Sequence, residues 1–229
     1  TMAEARVPMG AHKRVHIGAI SKLPSVAERW RAARGKPCTE ADIDAMFADF
    51  VPRQLACLGM YADLVPGTLE AVAAFRARGL KIGSTTGYTS EMMEILLAEA
   101  KARGYSPDAT VCASDVPYGR PEPWMCLENA KRLRVYPMHA IVKVGDTLPD
   151  MEEGVDAGMW TIGLAKTGNE MGMRPNEIAA LEPRELEAKL SRARERLRGA
   201  GAHYVVDSIA DVLPVLDEID ARLARGDKP

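Results

Sequence analysis

The strongest constraint on this 229-residue chain is an alternation that begins after the turn Val65-Pro66-Gly67. Five short β-branched or apolar runs follow: "LKIGSTT", "ATVCASD", "AIVKVGDT", "WTIGLA" and "HYVVDS". Amphipathic stretches at 67–79, 89–103, 121–134, 149–157, 184–199 and 209–224 surround them. Strands alternating with helices predict an α/β fold with a doubly wound, Rossmann-like parallel sheet, because each crossover must return over one face of the sheet. Such a sheet offers its ligand site at the carboxyl ends of its strands.

Upstream, from Ala3 to about Tyr61, the apolar positions keep helical spacing. Breaks are expected at Pro24 and "RGKPCTE", with Thr39 capping a helix whose first turn holds Glu40 and Asp42. No strand is expected there, so the chain reads as a helical unit at 1–62 and an α/β unit at 63–229. The helical pattern also covers the first residues, "TMAEARVPMGAHKRVHIGAI". On that helix Lys13 and His16 share a face, and His12 points elsewhere.

Composition removes several function classes. A net charge of -2 makes no field that gathers nucleic acid or anionic lipid, so Arg192, Arg194, Arg196 and Arg198 read as one solvated helix face. No apolar run approaches the length of a membrane span. The four cysteines have no metal-ligand spacing and no C-x-x-C pair, and no secretory h-region opens the sequence. A reducing cytoplasm is the expectation.

Polar chemistry collects where three runs end. The first ends "GSTTGYT", where Thr85, Thr86 and the Gly87 amide are placed to hold phosphate oxygens at a helix start. The plain alternative is that Ser and Thr there cap the helix. The third ends "KVGDTLPDMEEG", which brings Asp146 and Asp150 together where a hard cation such as Mg²⁺ could sit. The plain alternative is that Asp146 only caps the next helix. Between them, "DVPYGRPEPWM" sets Arg120 in a proline-stiffened turn, offering a planar guanidinium to phosphate; an exposed turn arginine is the alternative.

In that order, "GSTTGYT", "GRPEPWM" and "KVGDTLPDMEEGVDAGMWTIG" resemble motifs two, three and four of the haloacid dehalogenase superfamily, in its phosphonoacetaldehyde hydrolase (phosphonatase) branch. "PMGAHKRVH" resembles the cap segment of that branch, and the likeness runs on to "GAHYVVDSI". The resemblance implies a haloacid dehalogenase core at 63–229 under a helical cap at 1–62. It also implies a Mg²⁺-dependent hydrolase that breaks the C–P bond of a small phosphonate through a lysine imine and an aspartyl phosphate. Lys13 would form the imine, with His16 and Tyr88 near the aldehyde and its waters and Met9 lining the pocket. Thr86, Gly87 and Arg120 would hold phosphate, Asp146 would bind the metal, and Asp150 would bind it or stand behind. The resemblance further implies a cytoplasmic homodimer joined through the cap, with no nucleic-acid or membrane partner. Val15 and Gly18 depart from the branch, which has polar or charged residues there.

The superfamily's motif one, an apolar strand ending D-x-x-G-T with the nucleophilic aspartate, has no counterpart in the sequence. "DLVPGT" has one residue too many and no strand before it. The expectation is that this central strand, a loop and part of a cap helix, roughly 30–40 residues by usual element lengths, lie upstream of Thr1. Without it, two strand edges inside the core would lack partners, and the chain alone would not turn over. Two other readings stay open: a superfamily phosphatase or phosphotransferase in which Lys13 is an ordinary cap residue, and a catalytically dead homologue.

Overall fold

The computed structural model describes residues 1–229. Up to Tyr61 the chain is helical: α1 (Met2–Arg6), α2 (Lys13–Lys22), α3 (Pro24–Arg34) and α4 (Glu40–Cys57), then a 3-10 turn at Leu58–Tyr61. Pro24 opens α3 at its first turn and Gly35, at φ 72°, ends it, since glycine enters the left-handed region without steric penalty. Thr39 caps α4 in a reciprocal box with Asp42. The expectation of unbroken helix fails at residues 7–12, which form a turn-rich loop. Pro8 has no N–H to give to a helix, and Gly10 lies at φ 97°, outside any right-handed helix.

Five parallel strands follow: β1 (Gly83–Thr86), β2 (Ala109–Cys112), β3 (Val142–Gly145), β4 (Trp160–Leu164) and β5 (Tyr204–Val206). Each lies inside a run expected to be a strand. Around them are α5 (Thr68–Ala77), α6 (Ser90–Ala102), α7 (Trp124–Leu133), α8 (Leu148–Asp156), α9 (Pro175–Ala179), α10 (Pro183–Gly199) and α11 (Val212–Ala224). Two details differ from expectation. Helix α7 begins at Trp124 rather than 121, because Pro121 and Pro123 lack N–H groups and bias their predecessors toward extended backbone. The single turn of α9 lies outside the expected helices, since a five-residue helix is too short to show a period.

The strands form two sheets, β1-β2 and β3-β4-β5, and β1 does not pair with β3. Between the two sheets, the Lys143 ammonium of β3 donates to the Thr85 hydroxyl of β1 at 2.8 Å.

The three-stranded sheet is covered on both faces. Ala71 and Phe75 of α5 and Val212, Leu216 and Ile219 of α11 pack on Trp160 and Ile162 from one side. Met151 of α8, Leu190, Ala193 and Leu197 of α10, and Ile178 of α9 form the other layer. Burying each large side chain of this kind contributes about 1.5–3 kcal/mol. Two arginines of α10 form ion pairs, Arg194 with Glu187 and Asp207 and Arg196 with Glu170. No helix is long and apolar enough to cross a membrane, and all four cysteines are free.

Candidate active site

The loop between α1 and α2 lies across the carboxyl ends of β1 and β3. A Cβ on Gly87, just past β1, would stand 2.8 Å from the Ala11 carbonyl oxygen and 2.9 Å from that of Gly10. A Cβ on Gly10 would meet the Thr147 hydroxyl at 2.6 Å, just past β3. Only hydrogen at both positions permits so close an approach, and it brings the helical segment down onto the strand ends.

Lys13 is the first residue of α2. Its ammonium sits over the Tyr88 ring, 4.7 Å from the centroid, which joins the helical segment to the loop after β1. Burial, and then the Arg120 guanidinium, push the Lys13 pKa below the ordinary lysine value. Arg14 plays no part, because it turns away to Asp44 at 2.6 Å and Glu40 at 3.0 Å. His16 is buried on α2, and its Nε2 lies 2.8 Å from the Ala5 carbonyl oxygen. A carbonyl only accepts, so Nε2 carries the proton and Nδ1, which has no partner, keeps its lone pair. Burial holds this imidazole below its usual pKa, in the neutral form. Burial likewise raises the Tyr88 phenol. Met9 is partly buried in the same loop, its N–H bonded to the Arg6 carbonyl at 3.1 Å. His12 packs its ring on Phe47 of α4.

On the strand side, the Thr86 hydroxyl accepts from the Tyr88 N–H at 3.3 Å, which folds the "TTGY" turn over the end of β1. Arg120 is buried rather than exposed. Its Nε faces Asp150 at 3.0 Å and Glu153 at 2.9 Å. Nη2 donates to the Thr85 hydroxyl at 2.6 Å and carbonyl at 2.8 Å, while Nη1 reaches only the Gly10 carbonyl at 3.5 Å. Lys143 makes the same contacts from the other side, 3.1 Å from Asp150 and 2.6 Å from Glu153. Two cations and two carboxylates thus form one buried, neutral group.

The two candidate metal carboxylates are not equivalent. Thr147, not Asp146, caps α8, and Asp150 is the reciprocal partner in that box, with Oδ2 accepting from the Thr147 hydroxyl at 2.6 Å and N–H at 3.2 Å. Burial would raise Asp150, but Lys143 and Arg120 outweigh it and hold the carboxyl below the usual range. Asp146 takes the Asn169 N–H on Oδ2 at 2.8 Å. Burial and neighbouring Asp150 raise its pKa, as expected of a carboxylate short of positive charge. Of the two, Asp150 is paired with Arg120 and Lys143, and Asp146 is in no ion pair. No group of three or more His, Cys, Asp or Glu side chains converges to complete a cage, and a hard dication wants six or more oxygens.

Sequence reasoning passed over Lys143 and Glu153. A lysine in the middle of "AIVKVG" was the available signal, since a charge inside a buried strand requires a partner.

Residues 5–158 match the model of the haloacid dehalogenase-like hydrolases. The chain is 52% identical over 228 residues to a phosphonoacetaldehyde hydrolase of Nitratidesulfovibrio vulgaris (strain Miyazaki F), covering 100% of this chain and 81% of that protein. It is 44% identical over 220 residues to one from Bacillus cereus (strain B4264), covering 96% of this chain and 83% of the other. The crystal structure of a phosphonoacetaldehyde hydrolase-like protein from Oleispira antarctica superposes with a TM-score of 0.96 at 42% identity, covering 100% of this chain and 83% of that one.

Proposed function

The chain belongs to the haloacid dehalogenase-like hydrolase family, and from that premise we propose that it acts in phosphonoacetaldehyde hydrolysis, with Lys13 as the residue that captures the aldehyde. The observation that carries the reading is the setting of Lys13, packed against Tyr88 at the mouth of the strand ends, with burial and Arg120 both favouring its neutral form. A neutral amine is the nucleophile an imine needs.

The chemistry follows in order. The Lys13 amine adds to the aldehyde carbon and loses water to give a protonated imine. When the C–P bond breaks, its electron pair flows into the iminium and leaves an enamine, so no free carbanion forms. Protonation at carbon and addition of water return the lysine and release acetaldehyde. The phosphoryl group passes to an aspartate and then, by hydrolysis, to water. No residue of this chain stands in the D-x-x-G-T context of that aspartate. Thr86, the Gly87 amide and Arg120 hold the phosphoryl oxygens in this reading. His16 and Tyr88 attend the aldehyde end, His16 through its unpaired Nδ1, and Met9 closes the pocket. Mg²⁺, held through Asp146, would supply charge to offset the phosphoryl oxygens, while Asp150 holds Arg120 and Lys143 in place. A cap at 1–62 over a core at 63–229, a homodimer joined through the helices and a cytoplasmic setting belong to the same proposal; exposed Met60 and Tyr61 at the end of the helical segment support the dimer.

Borohydride reduction in the presence of phosphonoacetaldehyde tests it. The expected result is a reduced adduct on Lys13 and on no other lysine. Lys13→Arg keeps the charge but cannot form an imine, and it should abolish the adduct while leaving the circular dichroism spectrum unchanged. An adduct on another lysine, or none, returns the chain to the phosphatase reading.

A further inference from the structure

Glu153 has no part in the reaction as derived, yet it is 0% exposed. It sits on α8, on the face turned to β3. Its neighbour Gly154 lets that helix come so close that a Cβ there would stand 2.6 Å from the Thr161 methyl and 2.9 Å from Lys143 Cβ. Oε2 of Glu153 accepts from Arg120 Nε at 2.9 Å and from Lys143 Nζ at 2.6 Å. Oε1 has no hydrogen-bond partner at all.

This is a poor way to stabilise a fold. Replacing buried ion pairs by apolar side chains is often neutral or stabilising, and a buried oxygen without a donor carries an unrecovered desolvation penalty. The arrangement makes sense through what it does to Arg120. Glu153 and Asp150 occupy Nε, and both Nη2 hydrogens go to Thr85. Only Nη1 is left with a single long contact, 3.5 Å to the Gly10 carbonyl in the loop that crosses the strand ends.

We infer that Glu153 is a positioning residue for phosphoryl binding: with Lys143 it locks Arg120 so that Nη1 alone faces the crevice, and the phosphoryl group is held end-on by that nitrogen rather than by a two-nitrogen fork. The inference rests on the reading of Arg120 as a phosphate holder. It departs from the sequence expectation, in which the whole planar guanidinium was on offer.

The test uses inorganic phosphate as the probe, titrated calorimetrically into the full chain. Lys143→Met with Glu153→Leu removes one charge of each sign, so a change in affinity reports orientation and not net charge. Loss of one hydrogen bond to a charged group corresponds to roughly tenfold weaker binding or more, and that is expected of the double variant. Arg120→Met should weaken binding at least as much. Adding Arg120→Met to the double variant should cost nothing further, because Glu153 acts through Arg120. Glu153→Gln, which keeps the shape, carries the test where the double variant does not fold; it should weaken phosphate, and tighter binding would mean that its charge merely opposed the ligand. Unchanged affinity in the folded double variant, or losses that multiply with Arg120→Met, overturn the inference and leave Arg120 as a phosphate holder. If Arg120→Met has no effect, or the unaltered chain does not bind phosphate, the reading of the site falls with it.

Discussion

Gly87→Ala probes whether the loop at residues 7–12 must seat on the strand ends for Lys13 to work. The new methyl would stand 2.8 Å from the Ala11 carbonyl oxygen and 2.9 Å from that of Gly10. Carbon and a carbonyl oxygen meet comfortably near about 3.4 Å, so the loop must rise by about 0.5 Å. Gly87 does not have positive φ, so alanine meets this obstruction and not backbone strain. Overpacking a close contact costs about 1–3 kcal/mol. Here the obstruction lies between the helical segment and the strand ends, so most of it should appear as a shift away from the seated form. At about 1.4 kcal/mol per factor of ten, that is roughly a 5- to 150-fold shift in the ratio of seated to unseated molecules. The core layers do not include Gly87, so Tm should move by no more than about 2–4 °C. Two measurements check this. Borohydride capture of acetaldehyde on Lys13 at neutral pH should slow in proportion to the seated fraction lost, because unseating returns the amine to water and to its ordinary protonation. Hydrogen exchange of the Gly10 and Ala11 amides should speed up. If capture and exchange both match the unaltered protein, the contact between the two parts is not what tunes Lys13.

Two further outcomes follow from the charges. Because burial and Arg120 lower the Lys13 pKa, capture of acetaldehyde should rise with pH to a midpoint below the free-lysine value of about 10.4, and that midpoint should move up in Arg120→Met; a midpoint at the free value in both proteins contradicts the assignment. Asp150 has its folded pKa held low by Lys143 and Arg120, so its contribution is present above the unfolded value of about 3.9 and is lost as pH falls toward the folded one. Asp150→Asn should therefore cost about 3–5 kcal/mol in urea unfolding at pH 7, with a smaller gap at pH 3; a gap independent of pH refutes the coupling.

The sequence by itself determined the strand-and-helix order, since each strand falls inside a run whose β-branched or apolar character is a local property. It also placed "GSTTGYT" and Asp146 at one end of the sheet, because parallel strands have all their carboxyl ends on the same side. Caps and breaks at Thr39, Pro24 and Gly35 were legible for the same reason: they depend on one or two neighbouring residues. Tertiary structure decided the rest. Residues 7–12 carry helical spacing that Pro8 and Gly10 interrupt, but where the loop then lies is set by Thr147 and Gly87, far along the chain. Arg14 is Lys13's neighbour in sequence, yet burial and then Arg120 lower the lysine's pKa, since both depend on what packs around it in space. Asp150, which spacing sets beside Asp146 without fixing its role, is held by Arg120, Lys143 and the cap of α8. Glu153 and Lys143 were invisible as a pair because a buried charge identifies its partner only once helix α8 is packed on strand β3 and the low dielectric there makes their pairing obligatory.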